Sequence, residues 1–342
     1  MSTARHILIT GGAGFIGSHL AERLLAQGAQ ITLLDNFNDF YDPARKRANV
    51  AAIEATARRL DRMDAVDLVE LDIRDRTGID ALFAARGFDA VVHLAARAGV
   101  RPSLAEPVLY EEVNCIGTLH LLEAARHHGP TTFLFGSSSS VYGTNPKVPF
   151  AEDDPIDQPI SPYATTKRTG ELICYNYHHL YGLQIACLRF FTVYGPRQRP
   201  EMAIHKFTDL LARGAAVPMY GDGTSRRDYT YIDDIVDGIV AALDRALPFE
   251  ILNLGGAQTT SLLDLIHNLA TALAVSPRIE YLADQPGDVP ITYADVRKAE
   301  RLLGYRPQVT IEDGLARFVA WYRQQPAASA PAPAAHTSSP TP

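Results

Sequence analysis

Cysteine is scarce in this chain, and its three copies, Cys115, Cys174 and Cys187, have neither metal-ligand nor disulfide-framework spacing. No metal site is expected, and a reducing cytoplasm is the expected compartment. Long apolar runs are also missing, so no segment reads as a bilayer span. The opening MSTARHILITGG has no extended apolar core and runs straight into a strand-like segment, so no secretory signal is expected. Positive charge is not in excess either: the formal net charge of −7 argues against a non-specific nucleic-acid binder. It leaves room for a local basic pocket facing an anionic ligand. No internal repeat stands out. What remains is a chain of 342 residues with 46% hydrophobic and 21% charged residues, an ordinary globular composition with enough length for a sizeable core.

Short apolar runs recur through it: HILIT, ITLLD, DLVELD, DAVVHLAA, TTFLFGSS, LQIACLRFF and FEILNLGG. Segments of helical spacing such as SHLAERLLAQG and ALFAARG separate the early ones. Strands alternating with helices predict an α/β fold with a doubly wound parallel sheet covered on both faces. VPMYGDGTSRRDYTYIDD, the helical SLLDLIHNLATAL, a short RIEYL strand and the helical TIEDGLARFVAWYRQQ follow, and are expected to supply a smaller α/β lid. The expected division is 1–190 with 229–258 returning to it, a second unit from 191–228 and 259–324, and a disordered Ala/Pro tail over 325–342.

TGGAGFIGSHL joins the first strand to the first helix. Gly12, Gly14 and Gly17 fit G-x-G-x-x-G, while Gly11, Gly14 and Gly17 fit G-x-x-G-x-x-G. Such glycines permit a tight turn and let backbone N–H groups approach a pyrophosphate at the helix N-terminus. The strand–turn–helix context is the one a Rossmann-type dinucleotide site requires. Phe15 and Ile16 belong to the same turn. Asp35 ends the second strand, 18 residues past Gly17 and followed by Asn36, where an acid would bond a ribose hydroxyl and repel a 2′-phosphate. That favours NAD over NADP. In LDIRD, Asp72 and Ile73 are candidate adenine contacts.

SPYATTKRTGEL places Tyr163 and Lys167 four apart on a helix opened by Ser161-Pro162, which stacks their side chains on one face. A free tyrosine, with pKa about 10, is a poor base at neutral pH. A neighbouring ammonium and a positive nicotinamide favour the phenolate. With the glycine turn, HLAA, the serine strand and Y-x-x-x-K in this order, the chain resembles the extended short-chain dehydrogenase/reductase family over roughly residues 4–323, and within it the nucleotide-sugar epimerases and dehydratases. The resemblance implies Ser138, Tyr163 and Lys167 as a catalytic trio. Ser138 would bond the sugar oxygen and Tyr163 would take its proton. Lys167 would hold the nicotinamide ribose and depress the tyrosine pKa. Leu94, Ala95 and Ala96 of HLAA would line the cofactor, and Asn114 would brace the site.

The four serines at 137–140 then separate the possible reactions. In the family's 4,6-dehydratases, Asp and Glu follow the catalytic hydroxyl, and the decarboxylases keep a Glu before Val-Tyr-Gly. This chain has Ser139 and Ser140 there, which cannot act as that acid or base near neutral pH. What remains is hydride chemistry at one carbon, a 4-epimerisation through a 4-keto sugar with transient NADH.

NFNDFYDP, AARAGVRPS, SSSSVYG and FFTVYGPRQRPEMA together resemble the UDP-glucuronate 4-epimerases. By that resemblance Thr192 and Arg199 meet the sugar carboxylate, with Ser139 and Ser140 beside it, and Arg227 of the Arg-Asp-Tyr element binds the diphosphate. Many relatives carry a second arginine in an Arg-x-Gly-Asp element. Here it reads Gln285-Pro286-Gly287-Asp288, which removes one phosphate contact and leaves Asp288 as that element's candidate. A UDP-glucose/UDP-galactose pair is the alternative substrate, and a net NAD-dependent dehydrogenase or reductase the alternative reaction. The family commonly dimerises through the Y-x-x-x-K helix and the long helix before it, so a homodimer is expected. His127, His128, His178 and His179 read as surface or interface residues.

Overall fold

Seven apolar runs become one parallel sheet. The computed structural model describes residues 5–129, 132–283 and 289–325. In chain order the first six strands are β1 (His6–Thr10), β2 (Gln30–Asp35), β3 (Val66–Glu70), β4 (Ala90–His93), β5 (Thr132–Ser138) and β6 (Gln184–Phe190). Four short strands follow, β7 (Thr192–Tyr194), β8 (Val217–Tyr220), β9 (Arg226–Arg227) and β10 (Tyr229–Tyr231). Then come β11 (Phe249–Leu254), β12 (Thr260–Ser261) and β13 (Ile279–Leu282). The main sheet has the order β11-β6-β5-β4-β1-β2-β3, with every pairing parallel. The strand order reverses between β1 and β4, which is where an open α/β sheet leaves its ligand crevice.

Successive residues of the central strands feed opposite faces. Ile7, Ile9, Val92 and Leu134 enter one apolar core; Leu8, Val91, Phe133 and Phe135 enter the other. Fully burying one of these phenylalanines contributes roughly 1.5–3 kcal/mol. Helices α1 (Phe15–Ala26) and α2 (Pro43–Arg59) lie on the first side; α3 (Arg76–Ala85) lies on the second. Next come α4 (Val100–Ala105), α5 (Pro107–Glu111), α6 (Gly117–His128) and α7 (Pro162–Tyr181), with a π-turn over Glu112–Ile116 joining α5 to α6. α7 starts as the sequence predicts: Pro162 is at its first position and Ser161 Oγ accepts from Ala164 N–H at 3.2 Å.

The remaining helices are α8 (Ala203–Ala212), α9 (Ile232–Arg245), α10 (Leu262–Leu273), α11 (Arg297–Leu303) and α12 (Ile311–Tyr322). α10 packs on α8 and α12, while β8 pairs with β13, β9 with β12 and β7 with β10. The RIEYL and TIEDGLARFVAWYRQQ segments are therefore the strand and helix expected of them. Residues 285–288, with Asp288, and the tail beyond 325 lie outside the described residues.

One helix was not anticipated. α2 reads poorly as an amphipathic segment because its buried positions are Lys46, Asn49, Val50, Ile53 and Ala57, two of them polar. Asp42 caps it, accepting from Ala44 N–H at 2.9 Å, with Pro43 at its first position. That Asp-Pro pair is the signal that marks its start.

Candidate active site

A cavity of about 420 Å³ opens at the carboxyl edge of the sheet, a size within the range of small-molecule sites. At its floor the glycine turn meets the turn after β4. Gly11 has φ +67°, and a Cβ there would lie 2.8 Å from the Ala95 nitrogen, so glycine is needed for both reasons. A Cβ on Gly17 would collide with the Gly11 carbonyl. α1 opens at Gly14 with no side-chain cap, leaving first-turn N–H groups for an anion. Gly11, Gly14, Phe15, Ile16, Gly17, Asp35, Asn36, Asp72, Ile73, Leu94, Ala95 and Ala96 all line the cavity. This half fits a dinucleotide: a phosphate-sized approach to backbone amides, an acid at the β2 terminus, and an apolar wall from the turn after β4.

Two details were not visible in the sequence. Asp35 Oδ1 accepts from Lys46 Nζ at 3.0 Å and from Phe37 N–H at 3.0 Å, so the acid arrives already paired. Asp72 binds Arg74 at 2.9 Å and accepts from Asn36 Nδ2 at 2.9 Å. These bonds bring its pKa down to about 2 against the opposing effect of burial.

The catalytic candidates converge at the end of β5. Ser138 closes the strand, accepting from Ser140 N–H at 3.2 Å and donating to Ser140 Oγ at 3.1 Å. The Tyr163 phenol hydrogen-bonds Ser138. Its pKa is raised by burial; Ser138 and the Arg199 guanidinium act in the opposite direction without cancelling that effect. Lys167 Nζ donates to the Gly136 carbonyl at 2.6 Å, and its own pKa is pushed down to about 8 by burial. His93 stands behind both, held between Thr10 Oγ1 at 2.7 Å and Thr118 Oγ1 at 2.9 Å. Burial, then the nearby Lys167, bring its pKa down to about 3, so it is neutral.

Ser139, Ser140, Thr192 and Arg199 face the same cavity. Arg199 Nε pairs with Glu201 at 3.1 Å and its guanidinium lies 5.5 Å from the Phe40 ring centre. Arg97, also in the lining, lies 5.3 Å from the same ring. Arg227 is not brought to this cavity: it sits on β9, donating to the Arg226 carbonyl at 2.9 Å. Arg97, Phe40, Lys46 and Gln198 line the cavity without having been singled out as site residues. For Arg97 and Phe40, the quoted AARAGVRPS and NFNDFYDP stretches already held them. Gln198 leaves its Oε1 buried without a hydrogen-bond partner.

A family model described as GDP-mannose 4,6 dehydratase matches residues 8–318. The chain belongs to the extended short-chain dehydrogenase/reductase family. Among members of this family, a UDP-glucuronate 4-epimerase from Thermodesulfobacterium geofontis is 42% identical, over 93% of this chain and 96% of that protein. A Bacillus cereus UDP-glucuronic acid 4-epimerase, solved with UDP-glucuronic acid and NAD, is 37% identical with a TM-score of 0.84, covering 93% of this chain and 99% of that one. A dTDP-glucose 4,6-dehydratase from Streptomyces venezuelae, solved with NAD bound, is 36% identical with a TM-score of 0.84, covering 93% and 97%. Overall fold alone therefore does not separate epimerase from dehydratase within the family, and the side chains of the cavity must do so.

Proposed function

We propose that this chain is an NAD-dependent isomerase that epimerises UDP-glucuronate to UDP-galacturonate at C4. One observation carries the choice of reaction. Among the described residues lining the cavity, the carboxylates are Asp35 and Asp72, both at the dinucleotide end and both ion-paired. Around Ser138 and Tyr163 the lining offers hydroxyls, so an elimination at C5–C6 has no acid or base to run it. Thr192 and Arg199, a hydroxyl donor and a cationic fork, suit the uronate carboxylate better than a neutral C6 hydroxyl.

In this reading Gly11, Gly14, Gly17, Asp35 and the turn after β4 hold NAD, and Lys167 reaches its nicotinamide ribose. NAD would supply a reversible hydride acceptor for C4, so no net oxidation would occur. Ser138 donates to the 4-oxygen, and Tyr163 as phenolate removes the 4-OH proton. The cavity lets the 4-ketone turn about its phosphate linkage, and Tyr163 reprotonates the oxygen once the other face is presented. The segments 191–228 and 259–324 would carry the nucleotide-sugar unit, with Arg227 moving toward the diphosphate. Three buried free thiols suit a cytoplasmic setting.

A homodimer is part of the proposal. Val108, Ile116, Leu172, Tyr175, Leu180 and Tyr181 are exposed apolar residues on α5, the π-turn and α7, which pack side by side. Light scattering should give twice the chain mass, and Leu172→Glu with Leu180→Glu should halve it; a monomeric native protein would remove this element.

Incubating the purified protein with UDP-glucuronate and identifying the sugar by NMR tests the function. UDP-galacturonate should form without accumulation of reduced cofactor. Steady accumulation would mean a net dehydrogenase, and equal turnover of UDP-glucose would remove the role given to Arg199.

A further inference from the structure

Near the end of β2 the cavity wall carries balanced charge. Two carboxylates, Asp35 and Asp72, face two cations, Lys46 and Arg74, and all four belong to the lining. Asp72 pairs with Arg74 at 2.9 Å, Asp35 with Lys46 at 3.0 Å. The second pair is nearly closed to solvent, with side chains 4% and 8% exposed. An ammonium at that distance cancels most of the field a lone carboxylate would project. Charge repulsion, the usual reason an acid here rejects a 2′-phosphate, is therefore weak in this protein. What Asp35 retains is its acceptor character: a ribose hydroxyl can donate to it, and a phosphate oxygen cannot.

The ammonium itself is rigidly placed. Asp42 and Pro43 fix the start of α2, and Asn49, one turn beyond Lys46, donates to the Ala13 carbonyl in the glycine turn at 2.9 Å. The Tyr41 ring centre lies 5.5 Å from Lys46 Nζ. Both Lys46 and Phe37 N–H use Oδ1 of Asp35. Lys46 thus reaches the carboxylate that would receive the adenosine ribose.

We propose that Lys46 is a latent 2′-phosphate-binding residue: Asp35 keeps the site selective for NAD by occupying its ammonium, and loss of the Asp35 charge turns the site toward NADP. This rests on the dinucleotide reading of the cavity and goes beyond it by assigning selectivity to the pair instead of to the acid alone.

The test is a partition measurement that needs no turnover. The purified protein is equilibrated with mixtures of NAD and NADP, freed of unbound nucleotide by rapid gel filtration, denatured, and its released nucleotides quantified. Asp35→Asn should shift the retained ratio toward NADP by about 10- to 100-fold, the worth of one charge-assisted bond to phosphate. Asp35→Asn with Lys46→Met should reverse that shift by at least about tenfold, since the phosphate partner is gone. Because the readout is a ratio on folded protein, unequal stability of the variants drops out. Lys46→Met alone, which keeps Asp35, should widen the preference for NAD. A double variant partitioning like Asp35→Asn, or a Lys46→Met whose preference is unchanged, overturns the role of Lys46. A native protein that retains neither nucleotide would instead overturn the dinucleotide reading beneath it.

Discussion

Asn114 grips Arg97 by both backbone atoms, its Oδ1 accepting from the Arg97 N–H at 2.8 Å and its Nδ2 donating to the Arg97 carbonyl at 3.0 Å. The same Nδ2 lies 3.0 Å from Thr166 Oγ1 on α7, one residue before Lys167. The side chain comes from the π-turn over Glu112–Ile116, a helix defect of the kind that concentrates at functional sites. One buried amide therefore ties the turn after β4 to the helix carrying Tyr163.

Asn114→Ala should cut all these bonds while removing no side chain that touches the substrate. Turnover is expected to fall about 10- to 100-fold through misplacement of Tyr163 and Arg97. Asn114→Asp, which can still accept from Arg97 N–H, should recover part of it. Retention of bound NAD and of KM in both variants marks a positioning effect; a loss confined to melting temperature would show a merely structural amide.

Tyr163 is expected to set the pH profile. Burial raises its pKa, so the phenolate is a minor species at neutral pH and kcat/KM should climb as pH rises through neutrality. Lys167, with its pKa lowered to about 8, loses its proton on the alkaline side and should end the climb. Tyr163→Phe should lose about 10²- to 10⁴-fold in kcat with substrate binding intact. A flat profile in the native enzyme, or a phenylalanine variant that no longer binds substrate, would contradict the base role.

The main sheet was legible because its central strands are short apolar runs buried on both faces, and the glycine turn because only glycine fits where Gly11 meets Ala95. Ser138, Tyr163, Thr192 and Arg199 were found by motif, and the fold brings all of them to one cavity. Lys46 was not found. It lies on a helix whose buried stripe is partly polar, and its partner Asp35 is on a strand that meets it only after folding. The direction of the Tyr163 shift was also out of reach, since it depends on how deeply the fold buries the phenol. Arg227 shows the converse: its motif is intact, yet its side chain does not line the cavity.

His93 should make the fold sensitive to acid. Its pKa is about 3 in the native chain against about 6.5 unfolded, so below pH 6.5 the unfolded state binds a proton that the native state refuses. Stability is lost as pH falls through that window, by roughly 1.4 kcal/mol per unit for this group alone. His93→Gln should be less stable at neutral pH but lose less between about pH 6 and 4. Urea titrations at fixed pH measure both slopes, and equal slopes would show that His93 does not titrate with unfolding.

Arg199 is expected to decide which product leaves. Oxidation at C4 of a hexuronate gives a β-keto acid, which loses CO₂ readily once its C5–carboxylate bond lies parallel to the carbonyl π system. An epimerase must therefore hold that bond near the carbonyl plane while the ketone turns. Arg199 has its Nε on Glu201 and its Nη2 3.5 Å from Met202 Sδ, so its terminal nitrogens are the ones available to a carboxylate, with the Thr192 hydroxyl in the same cavity. Removing a charge-assisted bond of this kind costs about 1.5–3 kcal/mol, so Arg199→Ala should raise KM roughly 10- to 100-fold. The same change frees the carboxylate to rotate, and the share of UDP-pentose among the products should rise. Arg199→Lys keeps the charge but not the fork and should fall between the two. Thr192→Val should move the ratio the same way by less. Chromatography of the reaction mixture gives the ratio directly. An Arg199→Ala enzyme making hexuronate and pentose in the native proportion would place the restraint on the carboxylate elsewhere in the cavity.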